Sequence, residues 1–281
     1  MFVTLLFVLS SIYAQTEYSV YEYGHFRDGS SVYLFGDNVN VRETPSINAK
    51  IVKTLPIAYP VEIISKSETM YTLNDFTAHW YNVRFECEGE EIEGYVWGGL
   101  ISIVTLPLGS NGAENNGLFL FGITEQEKAF FSGEGRVVKN GKIISKTDFE
   151  IIGSIDPETE NYDHSISGKL LGNSGFASLE NIIVLSFLYE ACGYTNGDIL
   201  LFWNGKQLTY GIIGISVSEA GVFHDYFDFY LPNHIDGTPN YLIHIQSYDE
   251  YGESCYERVE TNIRLFHWDG KKLKRVTENS K

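Results

Sequence analysis

Hydrophobic positions along this chain alternate with polar ones far more often than they recur every three or four residues. Val39 and Val41, then Val61 and Ile63, set apolar side chains two apart, the period of a strand with one buried face. Val32–Phe35 is an apolar lead-in strand, and Trp80–Phe85 (WYNVRF) and Gly94–Ser102 (GYVWGGLIS) continue the pattern. Between them, residues 65–79 are a long polar excursion, and Glu86–Glu93 is a hairpin whose tip is rich in glutamate. Thr44-Pro45-Ser46 ends a strand, because proline fixes φ and removes a backbone donor. Further along, Asn140-Gly141, Asn204-Gly205 and Asp269-Gly270 interrupt apolar stretches, each followed by Lys. Such dipeptides favour the positive φ values of a type I′ hairpin. Their glycines fall 64 and 65 residues apart, the spacing of a degenerate repeat or a chance recurrence of a favourable turn. Only Leu179–Tyr189 admits a helix, and its ENIIVLSFLY core suits a buried strand equally well. In the last hairpin Ile263, Leu265 and Trp268 carry the apolar surface outward and Leu273 and Val276 carry it back, with the Asp-Gly turn setting the register.

The pattern predicts an all-β chain in two parts. Residues 1–14 (MFVTLLFVLSSIYA) are an uncharged apolar run ending in Ile12-Tyr13-Ala14, which fits a secretory signal cleaved after Ala14 or, failing that, a buried first strand. The run is too short to cross a bilayer as a helix, so no integral membrane segment is expected. Residues 15–31 form a lead-in, 32–104 a first module, and 105–116 a linker rich in Pro, Gly, Ser and Asn. Residues 117–277 form a second β-rich domain, a sandwich or propeller-like, and 278–281 a disordered polar tail.

Composition supports strands and narrows the partners. Among 281 residues, 19 Tyr and 18 Phe against 2 Met lean toward sheets. The formal net charge of −17 is spread over both parts. Nucleic acid and anionic membrane surfaces need clustered Lys and Arg, so neither is an expected partner. The three cysteines, Cys87, Cys192 and Cys255, show no zinc-site spacing. Only Cys192 and Cys255 lie in the same part and could pair, and packing is the expected role of Cys192.

The first module carries motifs in a specific order: Asn38–Ser46 (NVNVRETPS), a V-x-x-L turn at Val52–Leu55, the hydrophobic strand ending at Ile64, the W-Y-x-V strand from Trp80, and the Gly94–Ile101 exit. That order resembles the bacterial Src-homology-3-like domain. The resemblance covers about a quarter of the chain and implies a small β-barrel that binds cell-wall peptide or a protein partner. It also implies that Trp80 is the barrel's core tryptophan and that Arg42 braces the barrel. Tyr71, Tyr81, Tyr95 and Trp97 are the candidate ligand-binding groove, since extended peptides dock on aromatic surfaces. Tyr95 and Trp97 share one strand face.

Candidate chemistry elsewhere is sparse. His224-Asp225, with Ser216 and Ser218 upstream, is the best acid–base grouping, but no nucleophile elbow accompanies it. Cys192 in YEACGY lacks the context of the cysteine endopeptidases that accompany this module. Acid-rich runs at 156–163, 225–228 and 249–253 lack calcium-loop spacing, and no phosphate-binding glycine pattern is present. The expectation is therefore an exported, non-catalytic binding or scaffolding protein of a bacterial envelope, with no catalytic residue, metal or cofactor. The alternatives are an accessory to a wall hydrolase with an unrecognised catalytic domain, or an envelope inhibitor or assembly factor.

Overall fold

The computed structural model describes residues 18–20, 25–109, 117–127, 130–152, 165–189, 191–252 and 255–277. These are all-β, with a single 3-10 turn, Gly98–Leu100, as the helical exception among the described residues. After a short N-terminal strand, β1 (Tyr18–Val20), the first module comprises β2 (Ser31–Tyr33), β3 (Val39–Arg42), β4 (Ile51–Leu55), β5 (Pro60–Leu73), β6 (Phe76–Cys87) and β7 (Glu90–Trp97). They form one sheet in the order β2-β5-β6-β7-β3-β4. It wraps around Leu34, Val39, Val41, Leu55, Val61, Ile63, Val83 and Val96, all buried. The polar stretch 65–79 is a protruding β5–β6 hairpin rather than a loop, turning on Asn74 and Asp75 at φ 50 and 58. Strand β6 changes its buried face partway along. Phe76, Ala78 and Trp80 are covered at first, then Tyr81, Val83 and Phe85, so residues next to each other in sequence, Trp80 and Tyr81, are both in the core.

Part of the linker expected from composition is structured. Val104–Pro107 is strand β8, which pairs with β9 (Leu118–Glu127) and buries Leu106 and, just beyond it, Leu108. Two apolar side chains on one face outweigh the polar surroundings. Strands β10 (Phe130–Lys139) and β11 (Lys142–Ile152) complete a four-stranded sheet in the order β11-β10-β9-β8. Its outer face carries Leu120 and Val138, which pack with Phe35 and Ile57 of the first module. A Cβ at Gly122 would lie 2.6 Å from Phe35 Cδ1, so glycine there lets the ring lie flat on the sheet. Arg136 sits over the same ring, 3.8 Å from its centroid, and Nη1 donates to the Phe35 carbonyl at 2.6 Å. Buried Glu134 accepts from both Arg136 and Lys146. Burial alone would raise the Glu134 pKa; the Lys146 and Arg136 hydrogen bonds outweigh it and hold the carboxyl below its ordinary range.

The third sheet is a nine-stranded antiparallel meander. It contains β12 (Ser165–Leu170), β13 (Asn181–Leu188), β14 (Asn196–Trp203), β15 (Leu208–Glu219), β16 (Phe223–Tyr230), β17 (Tyr241–Tyr251), β18 (Tyr256–Trp268) and β19 (Leu273–Arg275). Strand β1 pairs with β12 and so joins the lead-in to the second part. The segment open to either helix or strand is β13, and it is buried on both faces. Ile183 and Leu185 face the four-stranded sheet; Ile182 and Val184 face the far end of their own sheet. The sheet doubles back: Trp268 at the end of β18 lies 5.1 Å from the Phe202 ring of β14. Phe227 packs where a Cβ on Gly214 would be only 2.2 Å away. The second part is thus all-β, built from the four-stranded sheet and the nine-stranded one that curls back on itself.

Only one of the Asn/Asp-Gly turns is a two-residue hairpin. Asn140 and Gly141, at φ 52 and 67, join paired Lys139 and Lys142. The other two span four residues, with Asn204 and Asp269 amides donating to the Gln207 and Lys272 carbonyls. In each, the Asn or Asp side chain accepts two amides two and three residues on. The apolar set expected for the final hairpin mixes two faces. Phe266 and Trp268 point inward, while Ile263 is 67% exposed, because side chains an odd number of positions apart face opposite sides. The tail 278–281 and the leader 1–14 lie outside the described residues.

Candidate functional site

The aromatic groove expected on the first module is largely built into its interior. Tyr81 is fully buried, with Phe26 edge-on at 5.2 Å. Trp97 is buried beneath the β5–β6 hairpin. Its Nε1 donates to the Tyr71 and Ala78 carbonyls at 2.9 and 3.1 Å, and the Tyr71 and Phe76 rings lie 5.9 Å away. Neither can present a face to a ligand. Trp80 is core, as the resemblance implied. Tyr71 and Tyr95 are half-buried and pack from outside against that core. Arg42 braces the β3–β4 turn by donating to the Ala49 carbonyl at 2.7 Å. Sequence alternation misjudged Trp97 because the long polar hairpin that covers it has no apolar signature of its own.

The glutamate-rich hairpin is tied up in ion pairs: Glu62, Glu91 and Glu93 surround Arg84, and Glu88 meets Lys53. The serine–histidine–aspartate grouping does not assemble. Ser218 and His224 are cross-strand neighbours and share a face, whereas Asp225 projects from the other. The His224 ring stacks on Tyr256 at 4.5 Å, and Asp225 accepts from Gln246 Nε2 at 2.6 Å. Cys87, Cys192 and Cys255 are free thiols; Cys192 and Cys255 are exposed, so Cys192 is not a packing residue. Its loop, Ala191–Thr195, lies outside the sheet layers. The acidic run 156–163 lies outside the described residues.

What stands out instead is the outer face of β16, β17 and β18. Inner-facing Leu242 and Trp268 fill the second core. The opposite face carries Tyr230, Tyr241, Ile243, Ile245, Ile263 and Leu265, none of which belongs to a core cluster. Cross-strand pairing lines them up: Tyr230 beside Ile243, Ile243 beside Leu265, and Ile245 beside Ile263. One end of this strip is polar. Arg258 donates to Asp249, to the Tyr226 hydroxyl and, at 3.0 Å each, to Ser247 and Thr261 Oγ. Along Tyr241–Ile245 the outer positions of β17 are Tyr241, Ile243 and Ile245, and the inner ones are Leu242 and His244. Among the described residues, no core cluster includes the outer side of this strand. Neither a family model, nor a characterised protein, nor a solved structure matches this chain.

Proposed function

We propose that this chain is an exported binding protein of a bacterial envelope that holds a protein or peptide partner. The observation that carries the reading is the strip on the outer face of β16–β18, half-buried except for exposed Ile263 and part of no core cluster. Apolar and aromatic side chains sit in rows there, with an Arg258-centred polar network at one end. Contiguous apolar surface with a polar border is the anatomy of a protein-binding patch. The Src-homology-3-like reading of the first module is supported by its six wrapped strands and by Trp80 in its core. In this chain the module serves chiefly as framework, since Tyr81 and Trp97 are interior and Phe35 is spent on the neighbouring sheet. Export is supported by the apolar leader.

Co-sedimentation with purified wall and cross-linking to envelope proteins test the reading, using the chain from Gln15 onward. Wild type is expected to retain a wall peptide or an envelope protein. Ile243→Ser with Ile245→Ser should lose it while melting normally, and Tyr95→Ala should keep it. Retention that survives the double substitution, or no retention at all, overturns the assignment of this face.

A further inference from the structure

Strand β18 is much longer than the strand that borders it. β19 pairs only with Phe266–Trp268, and one further bond runs from the Val276 amide to the Leu265 carbonyl at 2.8 Å. On the other side, the Trp268 amide bonds the Asn240 carbonyl at 2.9 Å. Even-numbered residues of this stretch therefore bond inward to β17, and odd-numbered ones point their amide and carbonyl outward. Toward its beginning the strand is broken by a bulge: Tyr248 faces Glu260 but Asp249 faces Arg258, leaving Val259 extra. Between the bulge and β19 lies one regular, open stretch, Glu260-Thr261-Asn262-Ile263-Arg264, with every side chain exposed.

We propose that this stretch pairs with the same stretch of a second copy, antiparallel about a two-fold axis at Asn262. The stretch is complementary to itself in that register. Glu260 meets Arg264 of the partner subunit at both ends, on the inner face. Thr261 faces the partner's Ile263 on the outer face, and their outward amides and carbonyls exchange about four backbone hydrogen bonds. Moving the axis to Thr261 draws the bulge into the pairing and sets Arg258 against the partner's Arg264. Moving it to Ile263 sets Glu260 against Phe266, whose outward edge β19 already occupies. Only the midpoint uses the whole open stretch and matches its charges. The product is a continuous sheet across two copies, closing an edge that otherwise invites indiscriminate pairing.

The contact is small, so the dimer is expected to be weak and concentration-dependent. Sedimentation equilibrium from about 10 µM to about 1 mM reads it, with the chain from Gln15 to Lys281, which contains every described residue. Wild type should shift toward twice the monomer mass. Thr261→Pro should remain monomeric with melting close to wild type, because its outward amide serves no bond within the subunit and only the exposed Arg258–Thr261 Oγ1 bond is lost. Glu260→Arg should weaken association by about tenfold or more, and adding Arg264→Glu should restore it by recreating the complementary ends. A wild type that is monomeric throughout overturns the proposal and leaves the edge to a foreign strand. Dimerisation that ignores Thr261→Pro overturns it too. So does a chain that dimerises only after removal of residues 277–281, which would assign the edge to the chain's own end. The contact borrows Ile263 and Thr261 from the rim of the outer face but not Ile243 or Ile245, so Ile243→Ser with Ile245→Ser leaves it intact and the two proposals fail separately.

Discussion

His244 is only 2% exposed and packs against the rings of Phe227 and Phe229, and among the described residues neither of its ring nitrogens has a hydrogen-bond partner. Burial first, and the facing Arg264 second, push its pKa below the ordinary imidazole value. The unfolded chain therefore binds a proton that the folded one refuses. Stability rises with pH from the depressed folded value up to about 6.5, and is lost on acidification below that point. Thermal melts at pH 7.5 and 5.5 should show His244→Phe losing less on acidification than wild type; identical losses would rule out this residue as the source. A second residue-scale expectation concerns Trp97. Its indole is clamped under the β5–β6 hairpin, so Trp97→Ala should destabilise by about 3–5 kcal/mol, as Trp80→Ala should. Denaturant titration checks it, and a Trp97→Ala chain as stable as wild type would return that ring to the surface. Trp80 was legible in sequence because its motif marks it. Trp97 and Tyr81 were not, because strand alternation tells which residues share a face and is silent on what covers that face.

Turns show how much of an element is local. Trp203-Asn204-Gly205-Lys206 and Trp268-Asp269-Gly270-Lys271 fold alike, and Asn204 Nδ2 donates to the Gly270 carbonyl at 3.0 Å, so the two turns lie side by side. In the second, a hydrogen bond from Lys274, then the amides of Lys272 and Lys271, hold Asp269 well below the usual carboxylate range. A depressed carboxylate stabilises the fold above its unfolded value and ceases to do so as pH falls through the folded one. Asp269→Ala should therefore lower the melting temperature at pH 7 and have a smaller effect at about pH 2–3, a window set by that depression. Ending the chain at His267 removes the Trp268 ring from Phe202 as well as β19. Such a truncation should melt at a lower temperature with a broader transition; melting like wild type would make the final hairpin peripheral. The positions of these hairpins were readable from Asn-Gly and Asp-Gly. Their loop lengths were not, because the side-chain caps of Asn204 and Asp269 compete with the tight type I′ geometry.

At the scale of the molecule the two parts share one interior. The largest core runs unbroken from Leu34 and Val41 through Val104 and Phe121 to Leu201 and Trp203. Phe35 and Ile57 cap the outer face of the four-stranded sheet. The all-β class was legible, since strand period and turn residues are local signals. The fusion was not, because Phe35, Gly122 and Arg136 acquire their meaning only from one another. Residues 25–104 and 105–281 expressed apart should each lack a cooperative transition, and Gly122→Val in the whole chain should lower a single melting step. Two independent, wild-type-like transitions from the separate halves would show that the seam is incidental.

The pairing of β1 with β12 has a consequence in time. Tyr18 finds its partner in Gly168, 150 residues further along, so this segment waits for all of that chain to follow it. Until then the β12 edge is open, and loop closure over so long a span is slow. Deleting Tyr18–Val20 should leave the early refolding phases unchanged and remove the last one, measured by stopped-flow fluorescence. It should also raise the fraction lost to aggregation, since a nascent sheet with an unguarded border recruits its neighbours. Tyr18–Val20 thus act as a late-arriving hem on a sheet whose other strands are already in place.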